Sequence, residues 1–221
     1  MQFPFEPYRQ ELFLEEEILK KSQVNYHWMN QRRTVRDIDS VPIPKEVIEQ
    51  LLLSAGTAPS GAHKQPWTFC AISSQELKSQ IREAAEQEEK ESYQGRMSEE
   101  WLKDLAPLGT DWEKPFLTEA PWIVVVFRKA YDWDEKGNKT NTYYSQESVG
   151  IACGFLIDAI HHAGLVTLTH TPSPMGFLTK ILNRPENERP FLLLPIGYPK
   201  LDAKVPVLKR KSLSEIAVFY E

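Results

Sequence analysis

Two uninterrupted apolar runs constrain the fold of this chain more than any other feature. The first, "WIVVVF", covers residues 122–127, and the second, "FLLLPI", covers residues 191–196. Each run has the length of a buried strand and is far shorter than the about 20 apolar residues that a membrane-spanning helix needs. We therefore expect two strands in the core of a sheet and no membrane segment.

Helical segments alternate with single strands along the rest of the chain. Residues 10–29 carry apolar side chains at helical spacing, and a second helix is predicted to begin near Pro44 and end at Gly56. A long polar helix is predicted after Ser74, its candidate N-cap, and a central buried helix is predicted to end at Gly164. The connections are uneven in length, so a layered fold of the α+β or α/β type is expected, with helices against one sheet.

Composition indicates one intracellular domain that spans residues 1–221. A net charge of -5 argues against a nucleic-acid partner, which normally requires a basic surface. The N-terminus lacks the basic and apolar regions of a signal peptide. The only two cysteines, Cys70 and Cys153, have apolar neighbours, which favours reduced core thiols over a disulfide or a catalytic thiol. We expect a soluble, cytoplasmic protein.

Three arginines fall within five positions of "QRRTVRDID", although the chain is acidic overall. Arg32, Arg33 and Arg36 could form a solvated surface run. They could also form an anion site, most simply for a phosphate, in which the guanidinium groups and the Thr34 hydroxyl bind its oxygens. These residues alone leave both explanations open.

Two distant segments could complete such an anion site. Ser60 and Gly61 lie in a loop of small residues, where backbone N–H groups can approach a ligand closely. The C-terminal tail adds a basic cluster at residues 209–211. A phosphorylated cofactor bound by both ends of the chain would bring these features together.

Several familiar motifs are absent or incomplete. "GTAPSGAH" lacks the Gly-Lys-Ser/Thr ending of a P-loop, and no G-x-G-x-x-G follows a strand. His161 and His162 are adjacent on a helix and cannot both bind one metal ion, so a helix-end role is favoured. Ser60 and His63 lack the G-x-S-x-G turn of a hydrolase and an evident acidic partner.

The motifs that remain resemble those of the nitroreductase superfamily, and within it the iodotyrosine deiodinase branch. "RRTVR", "AGTAPSGAH", "SVGIACG", "AGLVTLTHTP", "LLPIGYP" and "VPVLKRK" occur in the order of that branch and near its spacing, over roughly residues 25–218. The resemblance implies an α+β fold with a central mixed sheet flanked by helices, and an intertwined homodimer. It also implies an active-site lid around residues 86–118 and a dimer-wrapping tail around residues 200–221.

The resemblance further implies FMN as the cofactor. The positions that match the family's FMN-binding residues are Arg32, Arg33, Thr34, Arg36, Pro59, Ser60, Gly61, Thr169, Thr171 and Arg210. Arg36 is expected near N1 and the C2 carbonyl of the flavin, where negative charge gathers on reduction. Thr171 is expected to offer its hydroxyl to N5, a contact that in this family favours one-electron steps. These two residues are the candidates for catalysis.

A second set of residues is expected to bind the substrate. Glu89 and Tyr93 are four residues apart and share a helix face, and Lys114 follows 21 residues later. Taken alone, such a Glu–Tyr pair is most often a solvated helix face. The trio nevertheless supplies an anion for an ammonium group, and a cation and a hydroxyl for a carboxylate. It matches the positions that bind the halotyrosine backbone in the deiodinases. The resemblance also implies that Ala62 offers its backbone N–H to the phenolate oxygen.

The resemblance therefore implies FMN-dependent reductive dehalogenation of 3-iodotyrosine and related mono- and dihalotyrosines to tyrosine and halide. The electrons would come from a partner reductase or from NAD(P)H. One alternative is a broad-specificity, NAD(P)H-dependent nitroreductase or flavin reductase, a class that lacks the Glu–Tyr–Lys trio. Another is a flavin-dependent sensor or storage protein without turnover.

Overall fold

The computed structural model describes residues 3–221 and divides into two compact units. The first unit ends at Arg32 and contains helix α1, Glu15–Gln31, none of whose residues is buried. Glu15, Glu16 and Glu17 form the first turn of α1, where carboxylates stabilise the positive end of a helix dipole. This acidic turn explains why the helix begins later than the predicted residue 10. The second unit is Arg33–Glu221.

The second unit contains the sheet and the other helices. The longer helices of this unit and its short helical segments are α2 Lys45–Gly56, α3 Gln75–Glu91, α4 Glu99–Leu105, α5 Phe116–Glu119, α6 Ser145–His162, α7 Gly176–Ile181 and α8 Leu213–Ile216. The strands are β1 Trp67–Ile72, β2 Trp122–Lys129, β3 Tyr131–Trp133, β4 Lys139–Asn141, β5 Val166–Thr167 and β6 Glu188–Gly197. A π-helical turn at Ser92–Arg96 extends α3, and 3₁₀ turns occur at Gly61–His63 and Ala106–Leu108.

The two apolar runs are the central strands, as predicted. The four-stranded sheet has the order β1-β2-β6-β5, so β2 and β6 each have a neighbour on both sides. Alternate residues of β2 pack on opposite faces: Val124 and Val126 join the cluster that includes α2 and α6, whereas Val125 and Phe127 join the cluster that includes α3 and α7. Because both faces are covered, the strand carries no polar alternation.

The sheet differs in one respect from the expected mixed sheet. The three ladders, β1–β2, β2–β6 and β5–β6, are antiparallel. Among the described residues, the parallel pairing in this sheet is a single bridge between Thr34 and Thr167. Antiparallel ladders therefore dominate, and the expected mixed directions are limited to this bridge on β5. The long connection through α3, α4 and α5 returns the chain to β2 antiparallel to β1. The α+β class is confirmed.

The segment that follows Arg32 runs along the edge of this sheet and contacts the start of the tail. The Val35 backbone N–H donates to the Thr167 carbonyl at 3.3 Å, and Asp39 N–H donates to Tyr198 at 2.7 Å. The Asp37 carboxylate accepts from Lys204 N–H at 3.1 Å. Residues 33–39 are therefore fixed beside both β5 and residues 198–204.

Two predicted features are confirmed at the level of single residues. The Ser74 Oγ accepts a hydrogen bond from Leu77 N–H at 3.3 Å and caps α3. Gly164 follows α6 with a φ of 75°, the left-handed conformation typical of a helix end. None of the helices in residues 3–221 is long and apolar enough to cross a membrane.

Candidate active site

One cavity of about 180 Å³ brings together residues that are far apart in the sequence. Its wall includes six of the predicted site residues: Arg36, Glu89, Tyr93, Lys114, Thr169 and Thr171. They come from the segment beside β5, from the end of α3 and its π-helical turn, from the loop before α5, and from the segment after β5. The fold thus places predicted cofactor-binding and substrate-binding residues around one space.

Glu89 and Lys114 form a loose pair in this wall. Lys114 Nζ lies 3.6 Å from Glu89 Oε2, and Lys114 is only 3% exposed. Burial raises the pKa of Glu89 and lowers the pKa of Lys114, while each partner's charge opposes the shift of the other. The pair therefore only partly compensates two desolvated charges, and a ligand that carries both an ammonium and a carboxylate group could complete them.

The Tyr93 hydroxyl binds residues 110–114, which form part of the segment that covers the cavity. The Tyr93 hydroxyl donates to the Thr110 carbonyl at 3.1 Å, and Lys114 Nζ lies 5.7 Å from the centre of the Tyr93 ring. Burial raises the pKa of Tyr93, so the phenol stays protonated. Lys114 Nζ also donates to the Asp111 carbonyl. The Tyr93–Thr110 bond and the Lys114–Tyr93 contact tie residues 110–114 to the π-helical turn that extends α3.

Apolar side chains that the sequence reasoning did not assign complete the wall. Met97, Trp101, Leu105 and Phe116 all line the cavity. Trp101 and Leu105 lie on α4, a short helix with no buried residue. A flat aromatic ligand would find dispersion contacts here. The mixture of tryptophan, leucine and charge in "SEEWLKDLAPLGTDWEKP" was the available signal for this role.

His170 is a further wall residue that sequence reasoning missed. Its Nδ1 lies 3.9 Å from Glu89 Oε1, and its ring meets Phe116 edge-on at a centroid distance of 5.6 Å. An extended segment places alternate residues on opposite faces, so Thr169 and Thr171 gave no indication that His170 also lines the cavity. The available signal was its position between two predicted site residues.

Two residues of the arginine segment lie beside the cavity residue Arg36 without lining the cavity. Arg33 Nη2 donates to the Pro206 carbonyl, which anchors the tail. Thr34 forms the bridge to Thr167, which places it beside the segment that carries Thr169 and Thr171. Arg210 lies in the exposed part of the tail that precedes α8. Arg32 ends α1 in the first unit, where its backbone N–H donates to Met29.

The loop at residues 59–63 has a tightly defined backbone. Ser60 Oγ accepts from Gln65 N–H at 2.9 Å, and Gly61 N–H donates to Ser148 Oγ at 3.3 Å. A Cβ at Gly61 would lie 2.5 Å from the Tyr143 carbonyl oxygen, so only glycine fits. Ala62 has a φ of 49°, and both Ala62 and Pro59 are exposed. The loop lies outside the lining of the cavity in the described chain.

A larger groove on the outer face of α3 is a weaker candidate site. It has a volume of about 540 Å³, but it is open and its wall contains none of the predicted site residues within the described chain. Two of its charged groups already pair with each other, since Arg82 Nε lies 2.7 Å from Glu86 Oε1. No cluster of His, Cys, Asp or Glu in residues 3–221 could hold a metal ion. We therefore assign the site to the smaller cavity.

Similarity to known proteins agrees with this assignment. The model of the nitroreductase family matches residues 29–198. The chain is 61% identical to an iodotyrosine deiodinase from Haliscomenobacter hydrossis, over 98% of this chain and 97% of that protein. It is 49% identical to an iodotyrosine deiodinase from Nematostella vectensis, over 96% of this chain and 81% of that protein.

A solved structure gives the same result. The crystal structure of an oxidized iodotyrosine deiodinase bound to FMN and 3-iodo-L-tyrosine matches with a TM-score of 0.75 at 33% identity, and the match covers 89% of this chain and 98% of that one. The chain therefore belongs to the nitroreductase family and, within it, to the iodotyrosine deiodinases.

Proposed function

We propose that this protein is an FMN-dependent reductive dehalogenase that converts halotyrosines, such as 3-iodotyrosine, into tyrosine and halide. The observation that carries the proposal is the cavity that joins Glu89, Tyr93 and Lys114 to Arg36 and Thr171. A nitroreductase for flat aromatics would need a flavin site but not the three polar residues Glu89, Tyr93 and Lys114. The relative that is 61% identical supports the same reaction.

The residues of the chain fit FMN. Arg33 and Thr34 share with Arg36 one fixed segment beside β5, and Arg36, Thr169 and Thr171 face the cavity with a cation and two hydroxyl groups. In this proposal Arg32, Arg33, Thr34 and Arg210 bind the phosphate and ribityl chain, and Pro59, Ser60 and Gly61 border the ring system. When bound, FMN supplies the two electrons that replacing halogen by hydrogen requires.

The substrate's zwitterion is bound by the trio. Glu89 accepts from the ammonium group, and Lys114 donates to the carboxylate. The Tyr93 hydroxyl exchanges its bond to the Thr110 carbonyl for one to the carboxylate. The loose 3.6 Å spacing of Glu89 and Lys114 leaves both charges available for this exchange. The aromatic ring then contacts the apolar side chains Trp101 and Phe116, which exclude water and fix its orientation.

The reaction replaces a carbon–halogen bond by a carbon–hydrogen bond, which consumes one proton and two electrons and releases halide. Arg36 places a positive charge where negative charge develops. Thr171 lines the cavity, and we assign its hydroxyl as a hydrogen-bond donor to the flavin. The Ala62 backbone N–H is assigned to the phenolate oxygen of the substrate.

We further propose a homodimer in which the C-terminal tail, around residues 200–221, packs on the partner subunit. Val207 and Phe219 are 103% and 71% exposed, and Ile151 and Phe155 on α6 are also exposed. Such an apolar surface indicates a protein interface. Other features remain predictions: a lid around residues 86–118, a single domain, electron supply by a reductase or by NAD(P)H, and a cytoplasmic location. A monomer by light scattering that still retains FMN would contradict the dimer.

The reaction itself is tested with chemically reduced protein under anaerobic conditions. We expect 3-iodotyrosine to reoxidise the flavin rapidly and to yield tyrosine and iodide in equal amounts. A nitroaromatic compound of similar size is the comparison substrate, and it should react more slowly. Fast reaction with the nitroaromatic and none with 3-iodotyrosine would contradict the proposed function.

A further inference from the structure

His170 is held rigidly in the wall of the cavity. Its backbone N–H donates to the Leu193 carbonyl at 2.9 Å, and its carbonyl accepts from Leu193 N–H at 2.9 Å. Leu193 lies in β6, the central strand, and is fully buried. His170 itself is only 6% exposed. The backbone of His170 is therefore fixed relative to the sheet, and its side chain is buried in the cavity wall.

The surroundings of the ring are unusual for a histidine beside a carboxylate. The charged groups that face it are Glu89 from α3, Lys114 from the loop before α5, and Arg36 from the segment beside β5. Burial, together with the charges of Lys114 and Arg36, lowers the pKa of His170 to about 3. The imidazole is therefore neutral at physiological pH, with one ring nitrogen as donor and the other as acceptor.

The Glu89 carboxylate lies on the Nδ1 side of the ring, just beyond hydrogen-bonding distance. Glu89 Oε1 lies 3.9 Å from Nδ1, whereas Nε2 has no hydrogen-bond partner among the described residues. An anion beside Nδ1 favours the Nδ1–H tautomer. A small movement of the end of α3 would shorten the Nδ1–Oε1 distance to a hydrogen bond of about 3 Å.

We infer that His170 is a positioning residue that holds Glu89 through a neutral Nδ1–H and so leaves the carboxylate's negative charge for the ammonium group of the amino-acid ligand. An imidazolium ion at this place would neutralise Glu89 and compete with the ammonium group. A neutral donor orients one carboxylate oxygen and preserves the charge. This inference rests on the proposed function, because it requires an amino-acid ligand.

The test compares two ligands that differ only in the ammonium group. 3-Iodotyrosine and 3-(4-hydroxy-3-iodophenyl)propionate share the same phenol and carboxylate, so the ratio of their dissociation constants reports the ammonium contact alone. Both are titrated calorimetrically into oxidised, FMN-loaded protein. We expect His170→Leu to weaken the binding of 3-iodotyrosine about tenfold, which corresponds to the loss of about one charge-assisted hydrogen bond. The dissociation constant of the propionate should change less than about twofold.

Two control variants separate positioning from folding. His170→Asn retains a side-chain donor near Nδ1 and should restore most of the lost ratio. His162→Leu changes a histidine at the end of α6 and should leave both dissociation constants unchanged. Equal weakening of both ligands by His170→Leu, an unchanged ratio, or failure of His170→Asn to restore it would overturn the inference.

The outcomes for the inference and for the proposed function are distinct. If His170→Leu reduces the ligand contrast and His170→Asn restores it, but the parent does not release iodide after reduction, the proposed function fails and the role of His170 stands. If the parent releases iodide and His170→Leu leaves the contrast intact, only the inference fails.

Discussion

The sheet and the cover segment, residues 92–114, contribute to the same cavity but are built in opposite ways. In β2 the residues from Ile123 to Phe127 are all fully buried, and both faces of the strand are packed. In the cover segment α4 has no buried residue, and Trp101 is 53% exposed. One region is core, and the other is a thin layer attached to it.

The cover segment is attached mainly near its ends. Lys114 N–H donates to Glu86 Oε1 at 2.7 Å, and Lys78 Nζ donates to the Ala120 carbonyl at 2.7 Å, which holds α5 to the start of α3. At the other end Arg96 Nη1 donates to the Ser173 carbonyl at 3.3 Å. Segments with few buried contacts open locally at low free-energy cost. The difference indicates that cofactor contacts depend on the rigid region and that ligand contacts depend on a segment whose order the ligand can change.

The largest expected effect comes from a change in the core. Leu193→Ala should lower the free energy of unfolding by about 2–5 kcal/mol, because it leaves a cavity under both β6 and the His170 segment. Trp101→Ala, the matched change in the cover segment, should lower it by less than about 0.5 kcal/mol, because this side chain is half exposed. Urea denaturation of FMN-loaded protein measures both. Similar losses from the two changes would remove the distinction between the regions.

A smaller effect is expected on local opening of the cover segment. Trypsin can cleave after Lys103, which is exposed on α4, and 3-iodotyrosine at about ten times its dissociation constant should slow this cleavage about tenfold. Cleavage after Lys136, exposed in the turn between β3 and β4, is the internal control and should not change. Equal protection at both sites would indicate global stabilisation, and no protection at Lys103 would contradict a ligand-ordered cover.

The contrast between the regions also explains what the sequence could predict. The sequence correctly predicted the core strands at residues 122–127 and 191–196, because burial on both faces leaves an uninterrupted apolar pattern. The start of α3 at Ser74 was predictable because the capping bond is local. Glu89, Tyr93 and Lys114 were identified only through resemblance, because their pairing depends on how the cover segment folds back on α3.

The segment 165–174 also depends on the tertiary fold. Its strand is only Val166–Thr167. The chain leaves the sheet after Thr167 and pairs with β6 again only at His170. The local strand preference of the residues between them is therefore not expressed in the fold. The directions of neighbouring strands and the burial of His170 are tertiary properties, and neither has a local signal.

A still smaller effect is expected on the pH dependence of the free energy of unfolding, through His170 beside the rigid sheet. Because the pKa of His170 is lowered to about 3 in the folded protein, the unfolded chain binds a proton below about pH 6.5 and the folded protein does not. His170 should therefore destabilise the fold as pH falls from 6.5, by at most about 1.4 kcal/mol per pH unit. The difference in unfolding free energy between parent and His170→Leu measures this contribution, since it subtracts the carboxylates common to both. A difference that is independent of pH would contradict a buried neutral imidazole.

The most direct test of the account is the affinity of FMN-loaded protein for 3-iodotyrosine and for 2-iodophenol, in the parent, Glu89→Gln, Lys114→Met and the double variant. Each single change should weaken 3-iodotyrosine by about one to two decades, or about 1.5–3 kcal/mol, and should leave 2-iodophenol nearly unaffected. The double variant should lose less than the sum, because both residues bind one zwitterion. FMN content should remain that of the parent. Equal losses for the two ligands would show that Glu89 and Lys114 only stabilise the fold, and would contradict the amino-acid site.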